Sequence, residues 1–91
     1  MYIKAHKDWF SKETDDGLAL LNPEGDKIFT LNKTASCIWK IACSGSRVSM
    51  DDILQGLKKK FAIKEKDLKK YRKECTDIVK KNSELFNVFE N

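Results

Sequence analysis

The sequence predicts an α+β fold, a three-stranded antiparallel sheet followed by three helices, and three observations predict it. The apolar residues recur with a period near two up to Leu31 and near 3.6 beyond it. Two strong turn signals, Thr14-Asp15-Asp16-Gly17 and Asn22-Pro23-Glu24-Gly25-Asp26, divide the stretch before that change. The 91 residues are one domain's worth of chain, enough for a single core over 1–91 and no second one.

The first strand is Trp9-Phe10-Ser11-Lys12-Glu13, closed by a turn in which Gly17 takes a positive φ without a Cβ clash. Leu18-Ala19-Leu20-Leu21 follows as a continuous apolar run. Proline then presets φ and glycine relieves the bend in the second turn. Lys27-Ile28-Phe29-Thr30-Leu31 has the β-branched and aromatic content of a strand. Connections this short force antiparallel pairing, so 18–21 is the middle strand and 27–31 an edge with one row of unpaired backbone groups. Alternation leaves open whether Ile28 and Thr30 or Lys27 and Phe29 turn those groups outward.

Asn32 is a suitable N-cap for the first helix, in which Ala35, Ile38, Trp39 and Ala42 recur at helical spacing before Ser44-Gly45-Ser46 ends it. The second helix starts at Ser49, with Asp52 three residues on as an approximate capping box and Val48 and Ile53 placed as a hydrophobic staple. Its predicted buried face is Ile53, Leu54, Leu57 and Phe61. The third helix spans about Glu65 to Asn82, with a seam of Leu68, Tyr71, Cys75, Ile78, Asn82 and Leu85. One flank of the seam holds Arg72, Thr76 and Val79, the other Lys70, Glu74, Asp77 and Lys81. Val79 widens the apolar face on its own side. The tail Leu85-Phe86-Asn87-Val88-Phe89 is apolar enough to fold back on the body.

Composition narrows the function. Charged residues make up 35% and apolar residues 41%, and no apolar run approaches the ~18 residues of a membrane span. The start, Met1 to Asp8, lacks the apolar stretch of a secretory signal, so a cytoplasmic protein with no membrane partner is the expectation. Cys37, Cys43 and Cys75 form neither a disulfide framework nor paired metal knuckles, and His6 lies far from them in sequence. Cys37 and Cys75 fall on apolar helix faces and read as small buried hydrophobes. With one histidine near a terminus expected to be mobile, no nucleophile motif and no phosphate-binding glycine loop, neither catalysis nor a cofactor is expected.

The net charge of +4 is unevenly spread. Residues 8–26 carry six acids against Lys12, a balance of −5, and residues 58–81 carry ten lysines and Arg72 against four acids, a balance of +7. Most lysine runs are solvated helix faces. This one also suits an anionic partner.

The order of strands and helices is winged-helix-like, and the local signatures resemble the PqqD-like family. Leu20 to Asn32 resembles that family's strand, turn and strand closed by Leu-Asn. Ala35, Ile38 and Trp39 stand where it has an alanine and an Ile-Trp or Ile-Leu pair. Val48-Ser49 before Asp52-Ile53 resembles its second-helix start, and Phe61 its usual aromatic. The similarity covers roughly residues 9–86. Lys70 stands before Tyr71 where the family often has an acid, and Asn82 where it often has the glycine that ends the helix.

The resemblance implies a RiPP recognition element, a domain that binds the leader of a ribosomally made precursor peptide. It implies that the leader adds as a strand along Lys27, Ile28, Phe29, Thr30 and Leu31 and packs on the third helix beside Arg72, Thr76 and Val79, with Lys69, Lys73 and Lys80 nearby. It further implies that the domain presents the peptide to a maturation enzyme such as a radical SAM enzyme or a lasso-peptide protease. Edge pairing is physically sensible, because backbone hydrogen bonds give affinity and flanking side chains give specificity. The competing reading is a winged-helix DNA-binding protein, which the basic third helix would suit. Against it stand two arginines in all, Arg47 and Arg72, and a hairpin that precedes the helices.

Overall fold

The computed structural model describes residues 1–6, 8–43 and 46–90. Its elements are β1 (Tyr2–Ala5), β2 (Phe10–Thr14), β3 (Gly17–Leu21), β4 (Ile28–Leu31), α1 (Lys33–Ala42), β5 (Val48–Ser49), α2 (Met50–Phe61), a 3₁₀ turn (Glu65–Asp67), α3 (Leu68–Lys81) and β6 (Phe86–Phe89). The expected sheet is present as β2-β3-β4, antiparallel with β3 in the middle. A second sheet, β5-β1-β6, was not foreseen. In it β1 and β6 pair from Tyr2↔Phe89 to Ala5↔Phe86, burying Ile3 and Ala5. The terminus expected to be mobile is therefore a paired strand, and the His6 amide donates to the Leu85 carbonyl at its end.

The register of β3 and β4 is set by their turn. Asn22, itself buried, accepts the Asp26 and Lys27 amides on its Oδ1 at 2.9 and 3.0 Å. Its own amide donates to the Lys27 carbonyl at 3.1 Å. Gly25, at φ 75°, makes the left-handed bend that a side chain resists. At the other end, Gly17 has φ 152°, and a Cβ there would lie 1.9 Å from the Leu31 carbonyl oxygen. β3, the end of β4 and the start of α1 meet at that point and leave no space for a side chain.

Asn32 caps α1 by accepting the Ala35 amide at 2.8 Å, and Ser49 and Asp52 form a reciprocal capping box on α2. The expected stop of the first helix at Ser44-Gly45 lies outside the described residues. α1 packs on β3 and β1 and α2 packs on α1, so that Ile38, Trp39, Ile53 and Leu57 share one buried cluster with Leu18, Leu20 and Ile3, and Trp39 stacks edge-on against Phe86 at 5.8 Å.

Four details of the helices differ from expectation. Phe61 is 37% exposed, because α2 ends there and Ala62 turns left-handed at φ 51°. The third helix opens as a 3₁₀ turn and becomes α-helical only at Leu68. Its buried seam is centred on Cys75 and Val79, both fully buried, with Tyr71 and Ile78 half-buried beside them. Asn82 ends α3 at φ −111°, not left-handed, and its side-chain amide donates to the Ile78 carbonyl at 2.8 Å.

Candidate peptide-binding edge

Both outer strands of the β2-β3-β4 sheet are open on one side, and their chemistry differs. β2 is exposed at every residue and carries Lys12 and Glu13, charges of the kind that discourage edge-to-edge pairing. β4, Ile28-Phe29-Thr30-Leu31, carries none. It is the edge of this sheet chemically fit to accept another strand.

Which of its backbone groups are free follows from the hydrogen bond of Asn22 to Lys27. In an antiparallel ladder, bonded and non-bonded pairs alternate. Asn22 and Lys27 are a bonded pair, so in the register of Leu20↔Phe29 and Leu18↔Leu31 those pairs are bonded too. Lys27, Phe29 and Leu31 therefore turn their backbone groups toward β3, and Ile28 and Thr30 turn theirs outward. Side chains alternate in the same rhythm. Leu31 is buried, Phe29 is half-buried against the edge of Trp9 at 5.3 Å, and Ile28 and Thr30 are exposed on the opposite face. The alternative left open by the sequence is resolved in favour of Ile28 and Thr30.

Lys27 pairs with Glu84 at 3.5 Å, which ties the start of β4 to the turn after α3. The end of α3 thus flanks the start of this edge. The predicted helix residues do not gather there as one patch. Val79 is 0% exposed, so it is a core residue and offers a ligand no surface. The reason is geometric: α3 rolls toward this flank, and a small β-branched side chain fills the space beside Cys75. Arg72 is turned toward α2, where its guanidinium pairs with Asp51, and the Thr76 hydroxyl donates back to the Arg72 carbonyl at 2.9 Å. Lys69, Lys73 and Lys80 are exposed along the outside of the helix.

Sequence reasoning missed Glu84 as the partner of Lys27 and Asn22 as the residue that fixes the register of the edge. The Asn-Pro-x-Gly-Asp turn was the available signal for the second. Elsewhere, a hydrogen bond from Lys40 holds the Glu13 carboxyl below its ordinary range. Burial pushes the Cys75 thiol up to about 11 and raises those of Cys37 and Cys43. None of the three cysteines is activated.

The family model described as coenzyme PQQ synthesis protein D (PqqD) matches residues 17–81, more than half of the chain and all of β3, β4 and the three helices. No curated protein matches. Among solved structures, TbiB1 in complex with the TbiA(beta) leader peptide is similar with a TM-score of 0.70 at 19% identity, over 97% of this chain and 99% of that one. Lasso peptide synthetase B1 complexed with the leader peptide is similar with a TM-score of 0.62 at 21% identity, over 94% and 98%. Both likenesses establish the fold over nearly the whole chain. Both are complexes with a leader peptide, and the DNA-binding alternative gains no support.

Proposed function

The chain belongs to the PqqD family, and we propose that it binds the leader of a ribosomally made precursor peptide by adding it as a strand to β4. The observation that carries this reading is the uncharged open edge, with the N–H and C=O of Ile28 and Thr30 directed outward. Two outward residues offer up to four hydrogen bonds, each worth about 0.5–1.5 kcal/mol net. The backbone contribution alone is then about 2–6 kcal/mol, short of a micromolar complex. Side-chain contacts must supply the rest, so recognition is sequence-selective even though the anchor is main chain.

Two further observations support the choice of edge. The family match includes β4 and leaves out β6, one of the two outer strands of the second sheet. Both similar structures are complexes with leader peptides. The exposed lysines of α3 favour a leader with acidic residues near its anchors. The protein has no catalytic role in this reading. It holds the leader while a maturation enzyme, such as a radical SAM enzyme or a lasso-peptide protease, acts on the rest of the precursor.

The test is a calorimetric titration with synthetic leaders of the precursors encoded beside its gene. Saturable one-to-one binding to one of them is expected. Absence of binding to every such leader, by a protein shown to be folded, contradicts the proposal.

A further inference from the structure

The pairing register fixes which face of the sheet each residue of an added strand must join. Ile28 and Thr30 turn both their outward backbone groups and their side chains to known sides. Whether the added strand runs parallel or antiparallel, its residue beside Ile28 shares the face of the Ile28 side chain. That face is the outer one, away from the helices. The register Phe10↔Leu21↔Ile28 lays three large apolar side chains in one row across it.

This row is uncovered. Phe10 is 66% and Ile28 71% exposed, the highest values among the exposed large hydrophobic side chains. Together with Ala19 and the stem of Lys12 they border a shallow apolar hollow of about 250 Å³. An isoleucine at an outward-facing position of an edge strand is a pairing hazard that folded proteins ordinarily blunt with a charge or a proline. Here neither is present on β4, and a ligand strand is what would cover it.

We infer that the bound peptide places an apolar residue beside Ile28 on the outer face, completing the row Phe10–Leu21–Ile28 as a fourth member. Ile28 and Leu21 are then specificity-determining residues that act on the side of the sheet opposite α3. A bound strand is therefore read on two faces at once. Neighbouring residues of the peptide point toward the helices, and the residue beside Ile28 points away from them. The inference rests on strand addition at β4, and its test separates the two.

The probe is a random 12-residue peptide library displayed on phage and selected against the purified protein. The tightest selected peptide is then synthesised with aspartate, and separately lysine, at each position in turn. Thr30→Pro tests strand addition alone, since it removes an outward N–H and leaves the outer row intact. Ile28→Asp tests the row, and because Ile28 is largely exposed the variant is expected to fold. The expected result is that Thr30→Pro weakens every selected peptide roughly 10- to 150-fold and that Ile28→Asp weakens the selected peptide about tenfold, the size of one unfavourable cross-strand pair and a partly desolvated charge. Lysine at a single peptide position should restore the loss, and the same position should tolerate only apolar residues with the wild-type protein. If Thr30→Pro weakens binding but Ile28→Asp and Leu21→Asp, both folded, bind every peptide as wild type does, strand addition stands and the outer-face inference is overturned. If Thr30→Pro binds normally, strand addition at β4 fails and the inference falls with it.

Discussion

Proline scanning along β4 turns the alternation of its backbone into a measurable pattern. Ile28→Pro and Thr30→Pro each delete an N–H that points to solvent, and edge strands accept proline at such positions. Their cost to folding should stay within about 1 kcal/mol, small against the roughly 5–14 kcal/mol expected of a chain of this length. Phe29→Pro is different. It deletes an N–H in the bonded pair with Leu20 and removes the ring that packs on Trp9 at 5.3 Å. That combination should cost about 3 kcal/mol or more. Binding should show the reverse order of information. Each outward proline loses one hydrogen bond of about 0.5–1.5 kcal/mol and obstructs the incoming strand, for a total of about 1.5–3 kcal/mol and a loss of roughly 10- to 150-fold in affinity. The assay is fluorescence anisotropy of a labelled leader peptide, with urea unfolding of each variant as the control. Full affinity in both outward variants, each folded, would refute the edge assignment. A Phe29→Pro variant as stable as wild type would refute the register.

Val79→Asp should lower the unfolding midpoint drastically or prevent folding, because it buries a charge at a position with no exposure, at a cost of several kcal/mol. Urea unfolding monitored by circular dichroism checks this, and a stable Val79→Asp protein would return Val79 to the surface. Thiol labelling of the native protein at pH 8 should modify Cys43 first, since it alone of the three is exposed. Cys75, with its thiol pushed up to about 11, should be roughly one part in a thousand thiolate and should react only on unfolding. Leader affinity should fall as salt rises, because the α3 lysines act through solvent and the screening length shrinks from about 30 Å at 0.01 M to about 10 Å at 0.1 M. Titrations at three salt concentrations decide it, and constant affinity would mean that those lysines are solvated bystanders.

The elements that were legible in the sequence are those whose signals are local. Gly17, Asn22, Pro23 and Gly25 mark two turns, Asn32 and the Ser49/Asp52 pair mark two helix starts, and each stands where its chemistry predicts. The second sheet was invisible because β1 is four residues long and its partners lie at Val48–Ser49 and Phe86–Phe89. No periodicity within four residues announces a contact across most of the chain. The free edge was legible, but its facing was not, since that depends on which residues the turn bonds to each other, Asn22 to Lys27, and turn residues alone do not say where the ladder begins. Val79 was misread for a related reason. Helical spacing gives the width of an apolar face but not the roll of the helix, and here the roll carries Val79 into the core and sends Arg72 to Asp51.

Amide hydrogen exchange resolved residue by residue tests strand addition most directly. In the free protein, the amides of Ile28 and Thr30 should exchange fast and those of Phe29 and Leu31 slowly, since only the latter are bonded to β3. On saturation with a leader peptide, Ile28 and Thr30 should become protected and the others change little. Protection that leaves Ile28 and Thr30 fast, or that arises instead at the outer edge of β6, would contradict the account.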